Sequence, residues 1–283
     1  MNKTKGKSDA SLAEGTISTR AEQRQVEERV AIGPHVVYET IRREGDEELD
    51  RAAPALAWSG LAAGLSMGFS FVAEALLRAH LPDAPWRPLI SRLGYCVGFL
   101  IVVLGRQQLF TENTLTVILP LLLETKLKTL LRVLRLWMVV LTSNLVGTFL
   151  FALCLSRTAI FSSQIQQSLT QIGAEHLGSG FGNVLVRAIF AGWLIALMVW
   201  LLPAAEHSRV VIIIIITYLV GLGGFSHIVA GSTTMFFLVV TRQASWGTYI
   251  VNFFLPTVIG NIIGGVSLVA ALGHAQVVGL KSK

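Results

Sequence analysis

His227 is the side chain in this sequence with the most chemistry to offer. It lies in Gly223-Gly224-Phe225-Ser226-His227-Ile228-Val229-Ala230-Gly231, between apolar runs at 210–216 and 235–240. A glycine-rich, helix-breaking stretch survives at membrane depth only where it is buried in protein or lines a cavity. An ionisable group at such a break belongs by default to a transport path. The structural alternative is a packed histidine whose ring bonds a neighbouring carbonyl. A second polar break, Gly105-Arg106-Gln107-Gln108-Leu109-Phe110-Thr111-Glu112-Asn113-Thr114, adds a hydroxyl, a guanidinium and a carboxylate.

These residue types suit the movement of a small anion. Desolvating a carboxylate-sized ion costs several kcal/mol even after relaxation. Half-helix N-termini aimed at the midplane offer partial positive charge that lowers this barrier. A neutral imidazole, the form that burial favours, can bond the anion or pass it a proton. A fixed cation would hold it too firmly. Arg106 has two readings, as an attracting cation or as a structural partner of Glu112 or loop carbonyls; intramembrane charges generally pair, which favours the second. Glu74, late in the first span, is expected to face the interface. Trp58, Trp137 and Trp246 are expected to act as interfacial anchors.

Such residues need membrane elements to hold them, and the composition supplies these. Mean hydropathy is +0.63 with 14% charged residues, which excludes an ordinary soluble domain. Of the 17 acidic residues, 11 lie within residues 1–51. The net charge of +6 therefore reads as basic loops that orient a membrane protein, not as a nucleic-acid surface. The two cysteines, Cys96 and Cys154, support neither a disulfide framework nor a metal site. No paired carboxylates, metal-ligand spacing or nucleophile with a base stands at either break, so neither an enzyme nor a cofactor is expected.

Six spans are expected, since crossing a bilayer takes about 20 apolar residues. They run over 52–80, 89–123, 134–155, 184–203, 210–241 and 251–272, with the second and fifth interrupted. Asn144-Leu145-Val146-Gly147 and Asn261-Ile262-Ile263-Gly264 lie 117 residues apart. The same shift carries Phe110 onto His227. Three spans per half then require an inverted 3+3 repeat in an all-α membrane fold. The halves are residues 52–155 and 184–275, joined by an external loop at 156–182. Residues 1–51 form a polar tail, disordered over 1–33, with an amphipathic helix at 35–51 on the membrane surface. Residues 276–283 form a second tail. Lys126, Lys128, Arg132 and Arg135 place the tails in the cytoplasm. No signal peptide is expected, because no apolar stretch follows the early lysines.

At these residues the chain resembles the formate/nitrite transporter family. Leu109-Phe110-Thr111, the Asn144 motif, the His227 segment and the Asn261 motif carry the likeness across 50–275. The resemblance implies an aquaporin-like fold and a homopentamer in the inner membrane, with one pore per protomer for small monovalent anions or their acids, possible proton involvement included. It makes His227 the central pore histidine and Thr111 the loop threonine, beside Phe110. It assigns Leu109, with Val220 as companion, to a cytoplasmic-side constriction, and Tyr95 and Phe99 to the outer lining. Gly223, Gly224 and Gly231, with Asn144 and Asn261, serve the breaks and packing. Ser226 and Gly231 depart from the acidic residue and the asparagine that many members carry, and Ala196 departs from a fourth-span asparagine. The branch is therefore divergent. A non-conducting or sensory protein on this fold, and a neutral-solute channel, remain alternatives.

Overall fold

The structure is a computed structural model that describes residues 32–269 and 271, and the regular elements among them are all helical. Most of the tail expected over 1–33, and all of that at 276–283, lie outside the described residues. Residues from Pro34 onward form one compact unit. In chain order the helices are α1 (Pro34–Asp50), α2 (Ala53–His80), α3 (Arg87–Leu104), α4 (Phe110–Leu123), α5 (Leu127–Arg157), α6 (Ser163–Ala174), α7 (Phe181–Leu201), α8 (Arg209–Leu222), α9 (Ile228–Val240) and α10 (Thr248–Leu268).

Five of these are long and apolar enough to cross a membrane: α2, α3, α5, α10, and α7 with its 3-10 extension to Ala204. The segment expected as an interrupted fifth span is two short helices. α8 has 14 residues and α9 has 13, and neither alone reaches the ~20 needed. α4 is a shorter helix of the same kind. Large apolar side chains such as Trp58 (73% exposed) and Met138 (65%) cover the outside of the bundle. A surface of that character faces lipid or other subunits. The chain is a multi-pass membrane protein.

The second half-helix of each break packs across the bundle. α4 lies against α7 and α10, whereas α9 lies against α2 and α5. α9 is apolar nearly all round and buried from Ile228 to Val239, as a helix without a solvent or lipid face must be. The α2–α5 pair closes at Gly64, where any Cβ would run into the backbone of Asn144. α10 opens with a π-helical stretch, Thr248–Phe254, that lays Tyr249 and Phe253 against α9; the Tyr249 hydroxyl meets Ser232 Oγ at 3.1 Å.

Two elements differ from expectation. The amphipathic helix exists as α1, but Val37, Ile41 and Leu49 bury their apolar face against the protein instead of a lipid surface. The 156–182 connection is more than a loop. It contains α6, which buries Leu169 and Ile172 and ties Gln164 Nε2 to the Ala79 carbonyl at 2.6 Å.

Candidate functional site

The two breaks are built by the same device. Leu109 and His227 each precede a helix as its N-cap, at φ −107°, ψ 125° and φ −108°, ψ 127°. Asn144 Oδ1 accepts from the Phe110 N–H at 3.0 Å, and its Nδ2 donates to the carbonyls of Gly60 (2.8 Å) and Gln108 (2.9 Å). Asn261 Oδ1 accepts from the Ile228 N–H at 2.9 Å, and its Nδ2 donates to Ala188 (2.8 Å) and Ser226 (2.9 Å). A carboxamide is suited to this because it carries acceptor and donors on one rigid plane. Each asparagine thereby satisfies backbone groups that the interrupted helix leaves orphaned.

These bonds correct the register by one residue. Phe110 matches Ile228, so Leu109 matches His227 and Gln108 matches Ser226, and the expected pairing of Phe110 with His227 fails. The first half carries one more residue than the second between break and asparagine, which alignment on the asparagine motifs alone does not reveal. Arg106 then matches Gly224, and both hold left-handed backbone, φ 48° and φ 61°. Glycine adopts that conformation freely; arginine does so at some cost.

Between the breaks lies a dry layer. His227 is 1% exposed, and its Nε2 stands 2.7 Å from Thr111 Oγ1, itself 0% exposed. His227 Nδ1 accepts from the Ala230 N–H at 3.2 Å, closing the N-cap of α9. With Nδ1 as acceptor, the ring proton sits on Nε2 and is donated to Thr111. The Thr111 hydroxyl hydrogen is left to point elsewhere. Phe99 stands edge-on to the imidazole at 5.0 Å between centroids, and Tyr95 follows Phe99 at 5.4 Å. Leu109 and Phe110 are buried in the same layer. Phe110 meets Trp137, whose indole N–H donates to the Asn113 carbonyl at 3.0 Å, so Trp137 serves the break and is no interfacial anchor.

A cavity reaches this layer from each side. One, about 230 Å³, is lined by Tyr95, Val220, Phe225, Ser226, His227 and the segment after α6. Gly223, Gly224 and Gly231 line it too. The other, about 250 Å³, lies beside α1 and is lined by Arg106, Gln107, Gln108, Glu112, Val199 and carboxylates of α1. We call them the loop-side and terminal-side cavities. Val220 was expected beside Leu109 at the terminal-side constriction, but it lines the loop-side cavity; Val199 and Val103 line the other. Gly231 has no room for a larger side chain, since a Cβ there meets the ring of Phe253. Ala196, in place of a pore asparagine, is fully buried.

Three charged groups depart from their expected settings. Arg106 bonds Glu44 of α1 at 3.0 Å with its side chain 74% exposed, so its partner is not Glu112. One oxygen of Glu112, Oε1, is buried without a partner. Glu74 is no interfacial residue: it is 2% exposed and bonds Arg92 at 2.5 Å. Arg92 also pairs with Glu175, which pairs with Arg78 at 2.7 Å. The chain of charges ties α2, α3 and the segment after α6 around the loop-side cavity. An isolated Glu74 in the sequence gives no sign of its partner 18 residues away, nor Arg92 of its second partner 83 residues away. His176 lines the same cavity; burial lowers its pKa from the ordinary 6.5, with the nearby Arg92 and Arg187 adding to the effect.

Comparison with known proteins agrees with this geometry. Residues 35–275 match the family model described as formate/nitrite transporter. "Inner membrane protein YfdC" of Escherichia coli (strain K12) is 40% identical over 251 residues, covering 89% of this chain and 81% of its own. "Formate channel BtFdhC" of Bacillus thuringiensis is 26% identical over 242 residues, covering 83% and 92%. Among solved structures, a pentameric formate channel with formate bound superposes with a TM-score of 0.70 at 22% identity, over 82% of this chain and 98% of that one. An FNT family ion channel gives 0.75 at 17% identity, over 85% and 99%. Fold and family-model match agree across nearly the whole described chain, and the chain belongs to the formate/nitrite transporter family.

Proposed function

We propose that this protein conducts small monovalent anions or their conjugate acids, of the formate, nitrite, hydrosulfide or short monocarboxylate class, through a pore that crosses the His227–Thr111 layer. The observation that carries this reading is a buried pair, His227 Nε2 to Thr111 Oγ1 at 2.7 Å, with one cavity lined by His227 and another lined by Gln108, Glu112 and Asn113 around Thr111. Hydrated ions do not enter an apolar constriction of this kind, whereas a small anion can exchange its water for the Thr111 hydroxyl and the N–H groups of Thr111 and Val229, which the caps of α4 and α9 leave unengaged. The neutral imidazole can then donate a hydrogen bond from Nε2 to the anion. The proton that makes the less costly neutral acid comes from water on the entry side and passes through the ring only as a transient imidazolium.

The matching asparagine bonds support a six-span, aquaporin-like inverted 3+3 repeat, with α3–α4 and α8–α9 as the two interrupted spans. The pentameric formate channel supports a homopentamer with a pore in each protomer. The inner-membrane relative and the basic residues at 126–135, in and just before the first turns of α5, support an inner-membrane location with both termini in the cytoplasm. Proteoliposomes loaded with formate, nitrite, lactate or glycerol, with and without a proton gradient, test the reading. Flux of one of the anions without glycerol supports it. Glycerol flux alone would replace it with a neutral-solute channel, and no flux at all with a non-conducting protein.

A further inference from the structure

Gln108 stands where the terminal-side cavity meets the dry layer, one residue before Leu109. It is 7% exposed, and nearly all of it is already committed. Its N–H donates to Ser59 Oγ at 3.0 Å, and its carbonyl accepts from Asn144 Nδ2 at 2.9 Å. Its side-chain Oε1 accepts from Asn113 Nδ2 at 2.9 Å. Asn113 is held in turn, because Thr116 Oγ1 donates to its Oδ1 at 3.2 Å. Asn113 Nδ2 is the donor of this bond and Gln108 Oε1 its acceptor. What remains is the Gln108 Nε2 amide group. Among the described residues it has no bond, and it lies in a residue that lines the cavity.

Ser226 is the structural counterpart of Gln108, lining the loop-side cavity one residue before His227. Each break therefore carries one polar side chain in front of its side of the layer. Among the charged side chains around Gln108 the acidic ones outnumber the basic, with Glu44, Glu47, Glu48 and Glu112 against Arg106 and Arg209. An anion entering from this side needs a donor held at the threshold, and a carboxylate could not serve.

We infer that Gln108 is a specificity-determining residue whose Nε2 amide donates to an oxyanion, a carboxylate or nitrite, at the terminal-side threshold of the pore, with Asn113 as its positioning residue. This rests on the anion-conducting reading above. An unsaturated N–H donor prefers an oxygen acceptor to a soft or weakly accepting anion, so the site selects for oxyanions. A hydrogen bond to a charged partner is strong enough to matter by about tenfold.

Gln108→Glu keeps the acceptor for Asn113 and replaces the donor with a negative charge. Gln108→Met keeps the volume and removes the donor without adding charge. Formate flux into proteoliposomes is measured over a concentration series at pH 8 and pH 5.5 for wild type and both variants, each first checked for the wild-type oligomer. The half-saturating formate concentration should rise about tenfold in Gln108→Met at both pH values. In Gln108→Glu it should rise at least as much at pH 8, where the new carboxylate carries a negative charge. Half-saturation unchanged in Gln108→Met overturns the inference while leaving transport intact. A smaller rise in Gln108→Glu than in Gln108→Met at pH 8, or a fall in maximal flux alone, also overturns it. Wild-type liposomes that move no formate or nitrite end both this inference and the reading beneath it.

Discussion

The Thr111 hydroxyl, itself fully buried, is the acceptor for the Nε2 proton of His227. Thr111→Val keeps the shape and removes the acceptor, leaving the Nε2–H of His227 unpaired. An unsatisfied buried donor costs about 1–3 kcal/mol. Formate flux should fall roughly tenfold or more by that arithmetic, while the oligomer survives. Wild-type flux from this variant would remove Thr111 from the path. His227 and Thr111 were legible in the sequence because a histidine and a polar run interrupt otherwise apolar segments. Their hydrogen bond was not, since it joins residues 116 apart in sequence. Glu74, Arg92 and Glu175 were illegible for the same reason: each is an ordinary charge until the fold brings the three together.

At the scale of elements, the two asparagines pin each break to its neighbours. Asn144→Leu or Asn261→Leu strands one backbone N–H and two carbonyls in the interior. Each variant should lose at least about 2 kcal/mol of stability, read as an earlier unfolding midpoint of the detergent-solubilised protein. A midpoint within error of wild type would mean that water or a neighbouring group replaces these bonds. The asparagine motifs were visible in the sequence, but the register was read one residue out. Hydrophobic periodicity does not record the additional residue between Leu109 and Asn144. The packing of α6 has its own signature in His176, whose pKa burial lowers. Above pH ~6.5 the ring is neutral in folded and unfolded chains alike. Below that value the unfolded chain takes a proton that the folded one resists, so stability falls as pH falls. Lowering the pH from 7.5 to 5.5 should therefore lower the midpoint more in wild type than in His176→Gln. Equal drops would place the acid sensitivity elsewhere.

For the molecule as a whole, the apolar exterior and the family fold lead to an oligomer in a bilayer. On a background lacking the exposed Cys154 thiol, Gln167→Cys in α6 and Lys128→Cys in the first turn of α5 report the orientation. Both positions are exposed. An impermeant thiol reagent outside intact cells should label Gln167→Cys and spare Lys128→Cys; the opposite pattern would invert the topology. The class of the fold, its two interruptions and the family were readable from hydropathy and four motifs. The inward packing of α1 and the two cavities were not, because surface patterning along one helix does not say whether its apolar face meets lipid or protein.

The most direct test of the central claim is the pH-resolved flux of formate and nitrite through wild type, His227→Asn and His227→Phe in proteoliposomes between pH 5 and 8, about the window in which an unperturbed histidine titrates. Wild-type flux should rise as external pH falls. His227→Asn, which can still bond Thr111 but cannot carry a proton through its ring, should conduct with an altered pH dependence or selectivity. His227→Phe, which removes the polar contact, should suppress flux. Wild-type protein that carries no small monocarboxylate, nitrite or hydrosulfide at any pH in that window, or a His227→Phe variant that conducts as wild type does, would contradict the account.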